Sequence, residues 1–162
     1  MITRQQALEM FESNDLIGLG MAADEVRREL HPEGLVTYCL EPGGAVTTLD
    51  FAAQESLDRI VGKLESTAGC AAVMPRSEGT GAEYLKILSL TRIYLDHVPH
   101  IQASWQAGSK MGQIALRFGA DDINGAETGG LRATEEEIRR MIRDAGFIPK
   151  QRDARFELYF LN

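Results

Sequence analysis

Apolar positions along this chain follow two spacings in turn. Leu16, Leu19, Ala23, Val26 and Leu30 recur every three or four residues, the period of a helix that buries one face. Asp15 is placed to cap that helix, and His31-Pro32-Glu33-Gly34 stops it. A shorter helix ahead of it is marked by Thr3 and Gln6, which have the spacing of a capping box. In that motif each side chain satisfies a free backbone N–H of the first turn. Residues 35–40 (LVTYCL) then read as a strand, closed by Pro42-Gly43-Gly44.

From residue 45 the two spacings alternate. Residues 45–50 (AVTTLD) predict a strand, and 54–66 a helix with Leu57, Ile60, Val61 and Leu64 on one stripe. Residues 70–74 (CAAVM) predict a strand; Thr80 and Glu83 form a second box and open a helix to about Leu95. Residues 101–105 are a third strand of this series, 109–118 a helix, and 120–123 a fourth strand. Thr134 and Glu137 cap the last helix, whose stripe is Ile138, Met141, Ile142 and Ala145, with Gly146 ending it. The tail RFELYF (155–160) alternates like a half-buried strand or an extended arm.

Four consecutive strand–helix units predict parallel strands joined by right-handed crossovers. Two architectures satisfy that. An open doubly wound sheet carries helices on both faces and needs strands apolar on both. A barrel-type sheet carries helices outside only, and its inner face tolerates polar residues near the mouth. The stretch HIQASW favours the second, with the open doubly wound sheet as the alternative: Ile101, Ala103 and Trp105 would face helices, leaving His100, Gln102 and Ser104 on the other side. Thr48 and Asp50 alternate compatibly. The chain reads as one domain, 1–162, with helices and a strand in 1–42, four β/α units in 45–146 and an arm in 147–162.

Charge and cysteine content narrow the classes. The net charge of −7, spread along the chain, argues against a nucleic-acid surface, which needs a positive face. Arg139, Arg140 and Arg143 stand beside Glu135, Glu136 and Glu137 on one helix, as on a solvated face. The N-terminal MITRQQALEMFES has no apolar run of signal type and no stretch is long enough to span a membrane, so a cytoplasmic location is expected. Cys39 and Cys70 are too few for a disulfide framework, and each sits in an apolar run where cysteine is usually inert.

Several blocks carry a resemblance. LDHVPHIQASW, MGQIALRFGADD and IRDAGFIPKQRD resemble the C-terminal part of the radical S-adenosylmethionine enzymes of the futalosine route to menaquinone. Enzymes of this kind include cyclic dehypoxanthinyl futalosine synthase and aminofutalosine synthase, with the deazaflavin FO synthases as cousins. DLIGLGMAADEVRRELHPEGLVTY resembles the start of the same enzymes. The resemblance implies a (β/α)8 barrel with a CxxxCxxC motif whose thiolates hold a [4Fe–4S] cluster. No such spacing occurs here. After HPEGLVTYCLEP the sequence passes to segments that look like the family's fifth strand and helix (AVTTLD, SLDRIVGKLES) and sixth strand (CAAVMP). A barrel of this kind takes about 250 residues, so the expectation is a partial, half TIM-type barrel without cluster or S-adenosylmethionine. Its exposed edges and inner face would be completed by oligomerisation, a homodimer being the simplest form.

Barrel-type proteins place binding groups at strand C-terminal ends. Asp50, Arg76, Ser77, Ser104, Trp105, Asp121, Asp122 and Asn124 are expected there, and Ser109 and Lys110 open a helix whose N–H groups favour an anion. The resemblance adds Gln102, Ser104, Asp121 and Asp122 as chamber-lining residues. Asp96, His97 and His100 have a metal-like spacing, but it crosses Pro99 at a helix end and no metal site is expected from them. His31 is expected to cap a helix C-terminus, and the glycines of GAETGG to form turns. The leading expectation is therefore a cluster-free relative that binds a small molecule at the strand ends. A scaffold subunit, or a non-radical enzyme using Asp50, Asp121 or Asp122, are the alternatives.

Overall fold

The computed structural model describes residues 2–42, 44–105, 108–127, 130–131 and 133–159. Its elements run α1 (Arg4–Glu12), α2 (Leu16–Leu30), β1 (Leu35–Cys39), β2 (Thr47–Phe51), α3 (Leu57–Glu65), β3 (Ala72–Ser77) and α4 (Gly81–Tyr94). They continue through β4 (His100–Ala103), α5 (Ser109–Ala115), β5 (Asp122–Asn124), the short pair β6 (Ala126–Glu127) and β7 (Gly130–Leu131), α6 (Glu135–Asp144) and β8 (Ile148–Gln151). The boxes at Thr3 and Thr134 form in full. The one at Thr80 forms by half: its hydroxyl accepts from the Glu83 N–H, while the Glu83 carboxylate accepts from the backbone of Gln54 instead. Thr128 and Gly129 of GAETGG and Phe160 of RFELYF lie outside the described residues.

The main sheet has six parallel strands in the order β2-β3-β4-β5-β1-β8. Strands and helices alternate, and the arrangement is compatible with a partial β/α barrel. Val36, Tyr38, Val73, Ile101, Ala103 and Ile123 point to the helices and join one core with α4 at its centre. Every residue of α4 from Ile87 to Tyr94 is buried, because the helix packs on the sheet and on both α1 and α2. A helix with no solvated face belongs inside.

The other face, here called the inner face, carries His100, Gln102, Asp122, Thr37 and Arg152. The chain's own C-terminal segment packs on this face. Arg152 lies over the Phe156 ring with 3.7 Å to the centroid, and Phe156 stacks on His100 with ring centroids 4.3 Å apart. Phe156 adopts φ 65°, the left-handed region that a bulky side chain enters at a cost of about 1 kcal/mol. This turn breaks the alternation that RFELYF has in sequence. Just beyond it, Leu158 bridges Arg152 and the Tyr159 N–H bonds the Gln151 carbonyl, so the tail turns back antiparallel against the end of β8. The Ala154 carbonyl accepts from Ala45 N–H, tying the turn to the segment that leads into β2.

Three expectations are corrected. The last unit's strand covers 122–124 rather than 120–123, so Asp121 precedes it and Asp122 is its first residue. Both therefore belong to the start of the strand, not its C-terminal end. Cys70 precedes β3 instead of lying in it. The arm 147–162 contributes a sheet strand, β8, whose Pro149 is tolerated because the strand is at an edge.

Candidate functional site

Strand register builds the inner face in rows. Gln102, Asp122, Thr37 and Lys150 are partners across four adjacent strands. Asp122 is fully buried and is the hub. Its Oδ1 accepts from Thr37 Oγ1 at 2.5 Å and Arg152 Nε at 2.7 Å; its Oδ2 accepts from Gln102 Nε2 at 2.7 Å and Arg152 Nη2 at 2.6 Å. A carboxylate with four donors in a dry setting is satisfied without a ligand. Burial depresses the Arg152 guanidinium, and the Asp122 bond and charge more than offset this, leaving its pKa raised. On the same face at the end of β1, burial pushes the Cys39 thiol up.

The C-terminal ends of β4 and β5 are similarly occupied. Trp105 donates its indole N–H to the Asn124 carbonyl at 2.5 Å, while Asn124 bonds Glu41 and Ala126 through its side chain. The backbone N–H of Ser104 donates to the Tyr84 hydroxyl at 2.9 Å, and burial pushes that phenol up to about 12. Ser77 accepts from Gly79 N–H within its own loop. Ser109 and Lys110 are exposed at the start of α5, which has no side-chain cap.

Asp50 and Arg76 differ from all of these. They are register partners on β2 and β3 and form a two-pronged pair, Nε–Oδ1 2.7 Å and Nη2–Oδ2 3.0 Å. Their side chains are 66% and 42% exposed. The Arg76 hydrogen bond holds the Asp50 carboxyl below its usual range. Thr48 is exposed and Met74 half-buried on the same strip. The inner face is thus closed over β4, β5 and β1 and open over β2 and β3.

A second polar cluster sits at the opposite, N-terminal ends of the strands. Asp121 Oδ1 accepts from Arg92 and from the Ile101 N–H, and Oδ2 from His100 Nδ1 at 2.7 Å, with His31 Nε2 at 3.3 Å. Burial would raise this carboxyl. The Arg92 charge, the His100 bond and His31 outweigh it and hold the pKa at about 2. Burial depresses Arg92, which is fully enclosed. Asp96, His97 and His100 do not converge: the His97 ring bonds the Ala68 carbonyl, away from His100.

Of the expected residues, the structure joins Gln102 to Asp122, Asp50 to Arg76 and Trp105 to Asn124, and separates Asp121 from the rest. Nothing in the sequence reading points to Thr37, Arg152 or the partners of His31. Thr37 was accessible as the polar position in the alternation of LVTYC; Arg152 and His31 lie inside the blocks IPKQRD and ELHPEG without any local sign of what they meet.

Among protein families, the model of the CofH/MqnC C-terminal region matches residues 70–161, more than half of the chain. The chain belongs to this family. It is 38% identical over 92 residues to cyclic dehypoxanthine futalosine synthase of Streptomyces coelicolor, covering 51% of this chain and 23% of that protein. It is 37% identical over 97 residues to the 5-amino-6-(D-ribitylamino)uracil–L-tyrosine 4-hydroxyphenyl transferase of Methanoculleus marisnigri, covering 52% and 26%. A match to the transferase of Methanococcus maripaludis is 29% identical over 163 residues and covers 83% of this chain and 45% of that protein. The chain thus spans less than half the length of these relatives.

The [4Fe–4S] cluster that the resemblance implies needs several thiolates close together. This family member has two cysteines. Cys39 ends β1, and Cys70 precedes β3 and accepts from Thr47, so they lie at opposite ends of a parallel sheet. They do not fit such a cluster. No described helix is long and apolar enough to cross a membrane.

Proposed function

We propose that this chain is a cluster-free member of the CofH/MqnC C-terminal region family that binds a small molecule at the open strand ends of β2 and β3, in a site completed by a second copy. One observation carries the reading. The closed fork and its surroundings on the inner face lie under the chain's own C-terminal turn, whereas the Asp50–Arg76 pair lies exposed beside the free edge of β2. An uncovered edge presents unpaired N–H and C=O groups to another strand. Lys63 already uses one of them, the Asp50 carbonyl, at 2.7 Å. The ligand class follows from the relatives: futalosine-type compounds, or the ribitylaminouracil and tyrosine of the transferases. Radical chemistry forms no part of the proposal. Nor does carboxylate acid–base catalysis, since Asp50, Asp121 and Asp122 stand in three separate settings, each with its own arginine.

A thermal-shift screen of those compounds tests the ligand, because binding to the native state raises its stability by mass action. A shift that Arg76→Ala abolishes supports the proposal; no shift from any of them removes the ligand site. The scaffold reading gains from the bonds that Gln102, Asp122 and Asn124 already make within the chain, which leave little of the inner face for a small molecule. Self-association without any thermal response would favour it.

A further inference from the structure

We propose that His31, His100 and Asp121 form a site for a divalent cation of the zinc type, independent of the strand-end ligand site. One nitrogen from each imidazole and one carboxylate oxygen lie within 4.8 Å of one another. Both rings address the same oxygen, Asp121 Oδ2, at 2.7 Å from His100 Nδ1 and 3.3 Å from His31 Nε2. Two imidazoles and a carboxylate are a standard zinc donor set, with a fourth position for water or a carbonyl. The Pro99 carbonyl, 2.6 Å from His31 Nε2, is the nearest hard donor for that position.

The surroundings fit this use. Asp121 is held ionised, and its other oxygen is fixed by Arg92 and the Ile101 N–H, the kind of outer support that orients a ligating carboxylate. The two histidines are each 21% exposed, so an ion has a path in. Phe156 stacks on the face of His100 and leaves the ring nitrogens at the edge free of it. His31 stacks on His100 with ring centroids 5.2 Å apart and 20° between the planes, so one ring turns for both nitrogens to reach one ion. As it stands each histidine donates a proton to its acceptor, so cation binding must displace the protons on the facing nitrogens. The Arg92 charge, on the other oxygen of Asp121, opposes a cation and lowers the expected affinity.

The full chain, stripped with chelator, is titrated with Zn2+ by calorimetry and with Co2+ by visible absorption. One equivalent is expected, with His31→Gln and His100→Gln each weakening binding by about tenfold or more. His97→Gln should leave it unchanged. Failure of the stripped chain to take up either ion, which would mean a hydrogen-bonded cluster only, overturns the site. So does binding that survives both substitutions or is lost with His97. If a variant does not fold, the wild-type Co2+ complex decides by nuclear magnetic resonance: paramagnetic shifts on the His31 and His100 ring protons support the site, and shifts centred on His97 or the N-terminal amine overturn it.

Discussion

Two arginine–aspartate forks of nearly equal geometry lie on the inner face, one in each half. Arg152 grips Asp122 through Nε and Nη2 at 2.7 and 2.6 Å; Arg76 grips Asp50 through the same atoms at 2.7 and 3.0 Å. The first pair is sealed under the C-terminal turn and the second stands in solvent. Bond lengths alone would rank them together. Burial ranks them far apart, since a carboxylate stripped of its partner in a dry interior has no water to replace it, and one at the surface does. The closed half is where the chain has completed itself. The open half leaves its fork in solvent.

Breaking the closed fork should have the largest effect. Asp122→Ala or Arg152→Ala is expected to cost about 3–5 kcal/mol in urea unfolding, as for other buried pairs losing one member. The double replacement Asp122→Leu with Arg152→Met should cost much less than either alone, because no orphaned charge remains. If the single changes cost under about 1 kcal/mol, the interior is wetter than described.

Acid should act next, through Asp121. Its folded pKa of about 2 lies below the ordinary 3.8, so its contribution is fully present above about pH 4 and is lost as the pH falls through about 2. The loss should be roughly 2 kcal/mol, measured as the change in urea midpoint across that window. Asp121→Asn should flatten it.

The C-terminal turn gives a smaller effect. Phe156→Ala removes the stack between Arg152 and His100 and should cost about 1–2 kcal/mol. Phe156→Gly should be the milder change, because glycine occupies φ 65° without the steric penalty. An alanine variant as stable as the glycine one would mean that the backbone strain is relieved elsewhere. At the bottom of the scale, Arg76→Ala should cost well under about 1 kcal/mol, and less still in high salt. Limited proteolysis of the tail should be unaffected by it.

Helices and their capping boxes were legible because their signals are local: Thr3 with Gln6 and Thr134 with Glu137 need only their own turn. The alternation in HIQASW was legible for the same reason, and it placed Gln102 correctly on the face away from the helices. Contacts between distant segments were not. Nothing in IPKQ, with its proline and two polar residues, marks a strand, and nothing local seats it beside β1. Asp121 and Asp122 were assigned to the wrong end of their strand because FGADD offers no alternation long enough to fix where pairing begins. His31 read as a helix stop and does sit at the end of α2, but its ring crosses to Pro99 and Asp121, a partnership only the tertiary fold creates.

The central claim, that the open half is finished by a second copy, is tested most directly by sedimentation equilibrium at micromolar concentration. The account predicts a mass twice the 17.9 kDa of the chain, returning to the single-chain value in an Asp50→Lys variant that keeps its folded spectrum. A wild-type chain sedimenting at the single-chain mass across that range would contradict it.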